Sequence, residues 1–179
     1  PGEGERNYSS AFLPAIHQGT AIQEVGITAA RAPIRHLKDT SVSPAVQRKR
    51  LDFVKRLNRE QLERLNSDQQ MEGVIESFEL AFRMQTETPK LVDLSKETQA
   101  TKDLYGVDQA DTNQFGRQCL LARRFAEAGV RFIQVTLNGW DHHNAIRKNL
   151  PKLAKQCDRP VAGLLTDLKQ RGLLDDTLV

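Results

Sequence analysis

The stretch RFIQVTLNGWDHHN, Arg131 to Asn144, decides how the rest of this chain is read. Within it, Ile133, Val135 and Leu137 fall on one side of an extended backbone, and Phe132 and Gln134 on the other. Mostly apolar on both sides, the segment is expected to be a covered strand of an α/β sheet, ending abruptly at Gly139. Trp140, Asp141, His142, His143 and Asn144 then arrive together just past the strand's C-terminal end. Open α/β folds bind ligands and metals at that edge.

The flanking segments extend the pattern. A helix is expected from about Asp111 through Phe115, Cys119, Ala122 and Ala126, with Gly129 as its left-handed C-cap. Arg117, Arg123 and Arg124 occupy its polar side and read as surface arginines. Beyond the loop, Leu150, Leu153, Ala154 and Cys157 start a second helix. Asp158-Arg159-Pro160 marks a kink or restart, and Val161, Leu164, Leu165 and Leu168 carry the helix on to a C-cap at Gly172. Thr177-Leu178-Val179 then reads as the start of another strand. Strand, helix and strand in that order make a βαβ unit, which implies a parallel pair and a right-handed crossover. The expected fold class is therefore α/β: a mostly helical fragment with a small parallel sheet, occupying residues 111–179.

Upstream, residues 1–43 carry Gly, Pro and Ser with little periodicity and are expected to form an irregular packing segment, with His17 as a hydrogen-bonded packing residue. Residues 44–110 are expected to form a helical hairpin and connector. Ser43-Pro44 makes a good helix start, Ser as N-cap and Pro at the first helical position. Leu51, Val54, Leu57, Leu62 and Leu65 form an apolar stripe, and the basic side opposite is interrupted by Asp52, Glu60 and Glu63. Met71, Val74, Ile75, Phe78, Ala81 and Phe82 define a second helix that ends at Thr88-Pro89. Asp93 or Ser95 should begin a short helical turn. The three segments together read as one incomplete domain, because the chain starts at Pro1 and stops on an unfinished apolar strand.

Bulk composition narrows the function classes. With 39% hydrophobic and 27% charged residues the chain is an ordinary globular sequence rather than a disordered one. Its 26 basic residues are interleaved with 23 acidic ones, which argues against nucleic acid and membrane as partners. Two cysteines, Cys119 and Cys157, sit on apolar helix faces and read as buried thiols rather than a disulfide framework.

Asp141, His142 and His143 offer one hard oxygen and two borderline nitrogen ligands, a mixture that suits zinc, manganese or iron better than calcium. In an extended loop Asp141 and His143 face one side, as metal ligands, and His142 the other. His142, Asn144 and Trp140 are then expected to pack against and orient the ligands or to contact substrate, with Asn144 able to donate to an oxyanion and Trp140 walling the site. The alternative from the residues alone is that Asp141 caps the next helix and both histidines lie on the surface.

The runs FGRQCLLARRFAEAGVRFIQVTLNGWDHHN and RPVAGLLTDLKQRGLLDDTLV, with NYSSAFLPAIHQGT and ESFELAFRMQ, resemble a bacterial sulfatase-like family of largely unassigned function in the alkaline-phosphatase superfamily. The resemblance implies an alkaline-phosphatase-like fold of which this chain is the middle portion. It also implies a hydrolase of small-molecule phosphate or sulfate esters that uses divalent metal ions, zinc, manganese or similar. Asp141 and His143 map onto the family's Asp-x-His element as metal ligands. The nucleophile and the other ligands would lie in remaining segments of the same polypeptide, so this fragment is expected to be inactive alone; relatives suggest an exported, periplasmic location. The competing expectation is a non-catalytic binding or scaffold protein that keeps the superfamily fold.

Overall fold

The computed structural model describes residues 17, 19–22, 41–65 and 69–179. The irregular segment expected over residues 1–43, including His36, and the interhelical link at residues 66–68 lie almost wholly outside the described residues. His17 is described and is exposed, not packed. The chain divides into two compact units, residues 1–90 and 91–179.

In the first unit, α1 runs Pro44–Leu65. Ser43 Oγ accepts the Val46 amide at 3.3 Å, the expected N-cap bond. Helix α2, Gln69–Val92, crosses into the second unit and continues through Pro89 instead of ending at Thr88. A proline costs a helix its own N–H bond and crowds the preceding turn, but it does not always end one. The two helices meet through long side chains. Arg48 Nη1 and Lys55 Nζ both reach Glu79, each at 2.7 Å, and the Arg48 guanidinium lies 5.2 Å from the centre of the Phe82 ring.

The second unit packs three helices. A 3-10 turn at Leu94–Lys96 is begun by Asp93, whose carboxylate accepts the Ser95 amide at 2.9 Å. Helix α3, Gln99–Tyr105, is capped by Thr98 and closed by Gly106 at φ 66°. Helices α4, Asn113–Glu127, and α5, Ile146–Gln170, pack on each other and on α3. Tyr105, Val107, Cys119, Leu120, Leu121, Leu153 and Leu168 are buried among them. Burial pushes the Cys119 thiol up to about 12, so it is an inert core group. Cys157 is half-buried.

Two glycines allow this packing. A Cβ at Gly163 of α5 would stand 2.8 Å from the Leu104 carbonyl oxygen, and one at Gly116 of α4 would collide with the Tyr105 carbonyl oxygen. The last turn of α3 therefore rests directly on the backbones of α4 and α5. Gly172 closes α5 at φ 68°, with the Leu173 amide reaching the Leu168 carbonyl at 2.8 Å.

The expected sheet is absent. Among the described residues there is no β-strand, so neither the βαβ unit nor an α/β fold is formed, and the described architecture is helical. Residues 132–140 are nonhelical, and the burial pattern alternates as the sequence suggests: Ile133, Val135 and Leu137 are half-buried while Phe132, Gln134, Thr136 and Asn138 are exposed. A period of two specifies an extended chain with one inward side. It does not supply the neighbouring backbone that a ladder requires, and none of the described residues provides it. Thr177–Val179 fails as a strand for the same reason, and Leu178 is fully exposed. Helix α5 runs unbroken through both Pro151 and Pro160.

Candidate functional site

Gly139 turns the chain at φ 99°, against the side chain of Leu153, and hands it to the Trp140–Asn144 loop. Asp141 then folds back on its own loop. Its Oδ1 accepts from the His143 amide at 3.4 Å and lies 2.6 Å from His143 Nδ1. That hydrogen bonding holds the Asp141 carboxyl below the usual carboxylate range. Both side chains are more than two-thirds exposed. His142 points elsewhere, its ring edge-on to Trp140 at 6.2 Å, with Nε2 buried and unbonded among the described residues. Asn144 gives its carbonyl to the Asn149 side-chain amide at 3.2 Å.

The loop thus brings Asp141 and His143 together and sets His142 aside. Engaged at Nδ1, His143 presents Nε2 outward. A carboxylate holding one imidazole nitrogen while the other faces out is the way proteins orient a metal-ligating or proton-carrying histidine. In this arrangement the pair offers one outward nitrogen, and His143 engages only Oδ1 of the Asp141 carboxylate, so its second oxygen can still ligate a metal. The donor types suit zinc or manganese, but among the described residues no set of three or more His, Cys, Asp and Glu side chains is arranged to hold an ion. The fit is that of a single-nitrogen site backed by a carboxylate.

Ala145 joins this loop to α5 at φ 52°, the one non-glycine residue at positive φ among those described. The first turn of α5 has no side-chain cap and no acidic residue, and it carries Arg147 and Lys148. Helix N-termini ordinarily attract negative side chains, so this end offers uncompensated positive charge beside Asp141 and His143.

A second polar centre escapes the sequence. Arg123, expected on the surface, is 2% exposed and sits among three carboxylates. Its Nη1 bonds Glu127 at 2.7 Å, its Nε lies 2.9 Å from Asp167, and its Nη2 lies 2.9 Å from Glu97. Arg124 bonds Glu97 and the Leu91 carbonyl, Arg171 bonds Asp167 and Glu127, and the Tyr105 hydroxyl donates to Asp167 at 3.0 Å. Burial works against the Arg123 charge, but the surrounding carboxylates outweigh it and hold its pKa above the ordinary value. The signal was present: Arg123 follows Cys119 by four residues and Leu120 by three, on the face those residues bury. Its spacing to Glu127, and that of Asp167 to Arg171, is the i,i+4 of a helical ion pair.

Fold and loop define a helical protein with an exposed Asp–His pair at the entrance to α5. The chain belongs to the DUF1501 family, described as a protein of unknown function, which matches residues 1–179. That match overturns the resemblance to a sulfatase-like family of the alkaline-phosphatase superfamily, because the matched family carries no such assignment. No curated protein and no solved structure matches the chain.

Proposed function

We propose that the Asp141–His143 loop binds a divalent metal ion and that the protein uses it to hydrolyse small phosphate or sulfate esters. The observation that carries this reading is the 2.6 Å contact between Asp141 Oδ1 and His143 Nδ1, which leaves Nε2 directed outward. His143 holds the ion and Asp141 fixes the ring. A divalent ion supplies a polarised ester oxygen or an acidified water. The uncapped start of α5, with Arg147 and Lys148, supports an anionic substrate, because positive charge there lowers the cost of bringing an ester anion to the loop. Trp140, half-exposed, walls the loop and restricts water on its side. Hydrolysis of p-nitrophenyl phosphate and p-nitrophenyl sulfate with and without added zinc or manganese tests the proposal. Metal-dependent turnover that His143→Ala abolishes is the expected result; no turnover, or turnover indifferent to His143→Ala, rules it out.

A non-catalytic binding role is favoured by one separate observation. Phe132 is 84% exposed at the head of an extended segment whose backbone pairs with no strand among the described residues. A large aromatic beside unpaired amides and carbonyls suits strand addition by a peptide. Loss of peptide capture in Phe132→Ser, with no ester hydrolysis by wild type, would favour this reading.

A further inference from the structure

Helix α1 turns one side toward α2, and no described element covers the other. Gln47, Arg48, Leu51, Lys55 and Asn58 recur at helical spacing and are half-buried, with Arg48 and Lys55 both paired to Glu79 of α2. Val46, Phe53 and Leu57 follow the same period half a turn away and are 42%, 51% and 46% exposed. Val54 lies beside them, also exposed.

This apolar side carries uncompensated positive charge. Arg50 stands within it, four residues past Val46 and three before Phe53, and Lys49 and Arg56 border it. Arg48 and Lys55 are neutralised by Asp52 and Glu79, whereas Lys49, Arg50 and Arg56 make no ion pair among the described residues. The Arg56 guanidinium lies 5.4 Å from the centre of the Phe53 ring, so aromatic and cation are presented together. Against these three cations the same side carries one carboxylate among the described residues, Glu60.

We infer that this side of α1 docks an acidic amphipathic helix of a partner protein. Its apolar residues, at i, i+3, i+4 and i+7, pack on Val46, Phe53 and Leu57, and its flanking carboxylates meet Lys49, Arg50 and Arg56. Val46 to Leu57 spans about 17 Å, three turns of helix, which a partner helix of that length covers by ridges-into-grooves packing.

Charge decides among the occupants. A second copy would set three cations against three like ones, which is repulsive. An anionic lipid surface suits a helix whose apolar side is free of charge and whose basic residues flank it. Here Arg50 interrupts the apolar side, and Glu60 repels anionic headgroups. A partner carboxylate meets Arg50 where it stands. The surface belongs to the first unit and rests on neither metal binding nor hydrolysis at the Asp141–His143 loop.

Fluorescence anisotropy with the 179-residue chain tests this. The probe is a labelled helical peptide of Leu, Ala and Glu, with Leu at i, i+3, i+4 and i+7 and Glu on both flanks. Saturable binding that weakens with added salt is expected, and the same peptide with Lys for Glu should not bind. Arg50→Glu and Phe53→Ser should each weaken binding about tenfold or more. Both side chains are exposed and outside every described ion pair, so these variants keep their fold, which unchanged circular dichroism verifies. Lys152→Glu, on α5, should bind as wild type does. The inference is overturned if the acidic peptide gives no saturable binding, if the basic peptide binds as well, or if either α1 variant binds as tightly as wild type. Preference for phosphatidylserine vesicles over the peptide overturns it in favour of a lipid surface. Dimerisation in sedimentation that Phe53→Ser abolishes overturns it in favour of a second copy.

Discussion

The hydroxyl of Tyr105 donates to the Asp167 carboxylate at 3.0 Å, joining the last residue of α3 to a buried turn of α5 across 62 positions of sequence. Asp167 also takes Arg171 Nε at 2.7 Å and faces Arg123 Nε at 2.9 Å, so one carboxylate ties three elements together.

Removing that carboxylate leaves Arg123 buried beside fewer negative groups. Asp167→Ala should destabilise the protein by about 3–5 kcal/mol, the cost of breaking a buried ion pair from one side. Tyr105→Phe keeps the ring and loses one hydrogen bond to a charged group, at about 1.5–3 kcal/mol. Urea denaturation of the three proteins checks the order, and a milder effect for Asp167→Ala than for Tyr105→Phe would contradict it.

Gly116 and Gly163 carry the approach of α3 to α4 and α5. Either change to Ala places a methyl against a carbonyl oxygen of α3, which cannot move without shifting the helix end. Each should cost about 1–3 kcal/mol despite alanine's better helix propensity. Thermal unfolding of Gly163→Ala beside Ala162→Gly, a neighbouring exposed site, separates the clash from propensity.

Ala145 adopts a left-handed conformation that costs an L-residue about 1–2 kcal/mol. Ala145→Gly relieves it and should raise stability by about 1 kcal/mol. Strain of this kind often accompanies a functional loop. A fall in stability on that substitution would show that the turn carries no strain.

Glu79 is held by Arg48 first and Lys55 second, and its carboxyl falls from an ordinary 4.5 to about 2. A folded-state value below the unfolded one adds stability above pH 4.5, and that stability is lost as pH falls toward 2. The pair is largely solvent-screened, so the effect is small. Wild type and Glu79→Gln should differ in thermal midpoint at pH 6 and converge near pH 2; a constant difference across that range would contradict the assignment.

Helix punctuation was legible because it depends on local chemistry. Ser43 as N-cap, Asp93 at the 3-10 turn, and Gly129 and Gly172 at positive φ all follow from neighbouring residues. The sheet was not legible. Alternation at Ile133, Val135 and Leu137 reports an inward side, which the chain has, while a ladder depends on a second backbone that alternation cannot reveal. Pro89 and Pro160 misled in the same sense, since each is carried inside a helix whose remaining contacts outweigh one lost bond.

For the candidate site, sequence placed Asp141 and His143 on one side of the loop and His142 on the other, and the geometry separates them that way. It could not show that the carboxylate would engage the imidazole directly. The buried network was missed because arginine is normally read as a surface residue. Its local halves, Arg123 with Glu127 and Asp167 with Arg171, were readable at i,i+4. Glu97 and Tyr105 enter only through the fold.

Zinc titrated into the 179-residue chain, followed at the histidine ring signals, tests the metal assignment most directly. One equivalent should shift the His143 ring, His143→Ala should abolish binding, Asp141→Ala should weaken it about 10–100-fold, and His142→Ala should leave it unchanged. Equal zinc binding by wild type and His143→Ala, or no binding by wild type, would contradict the assignment.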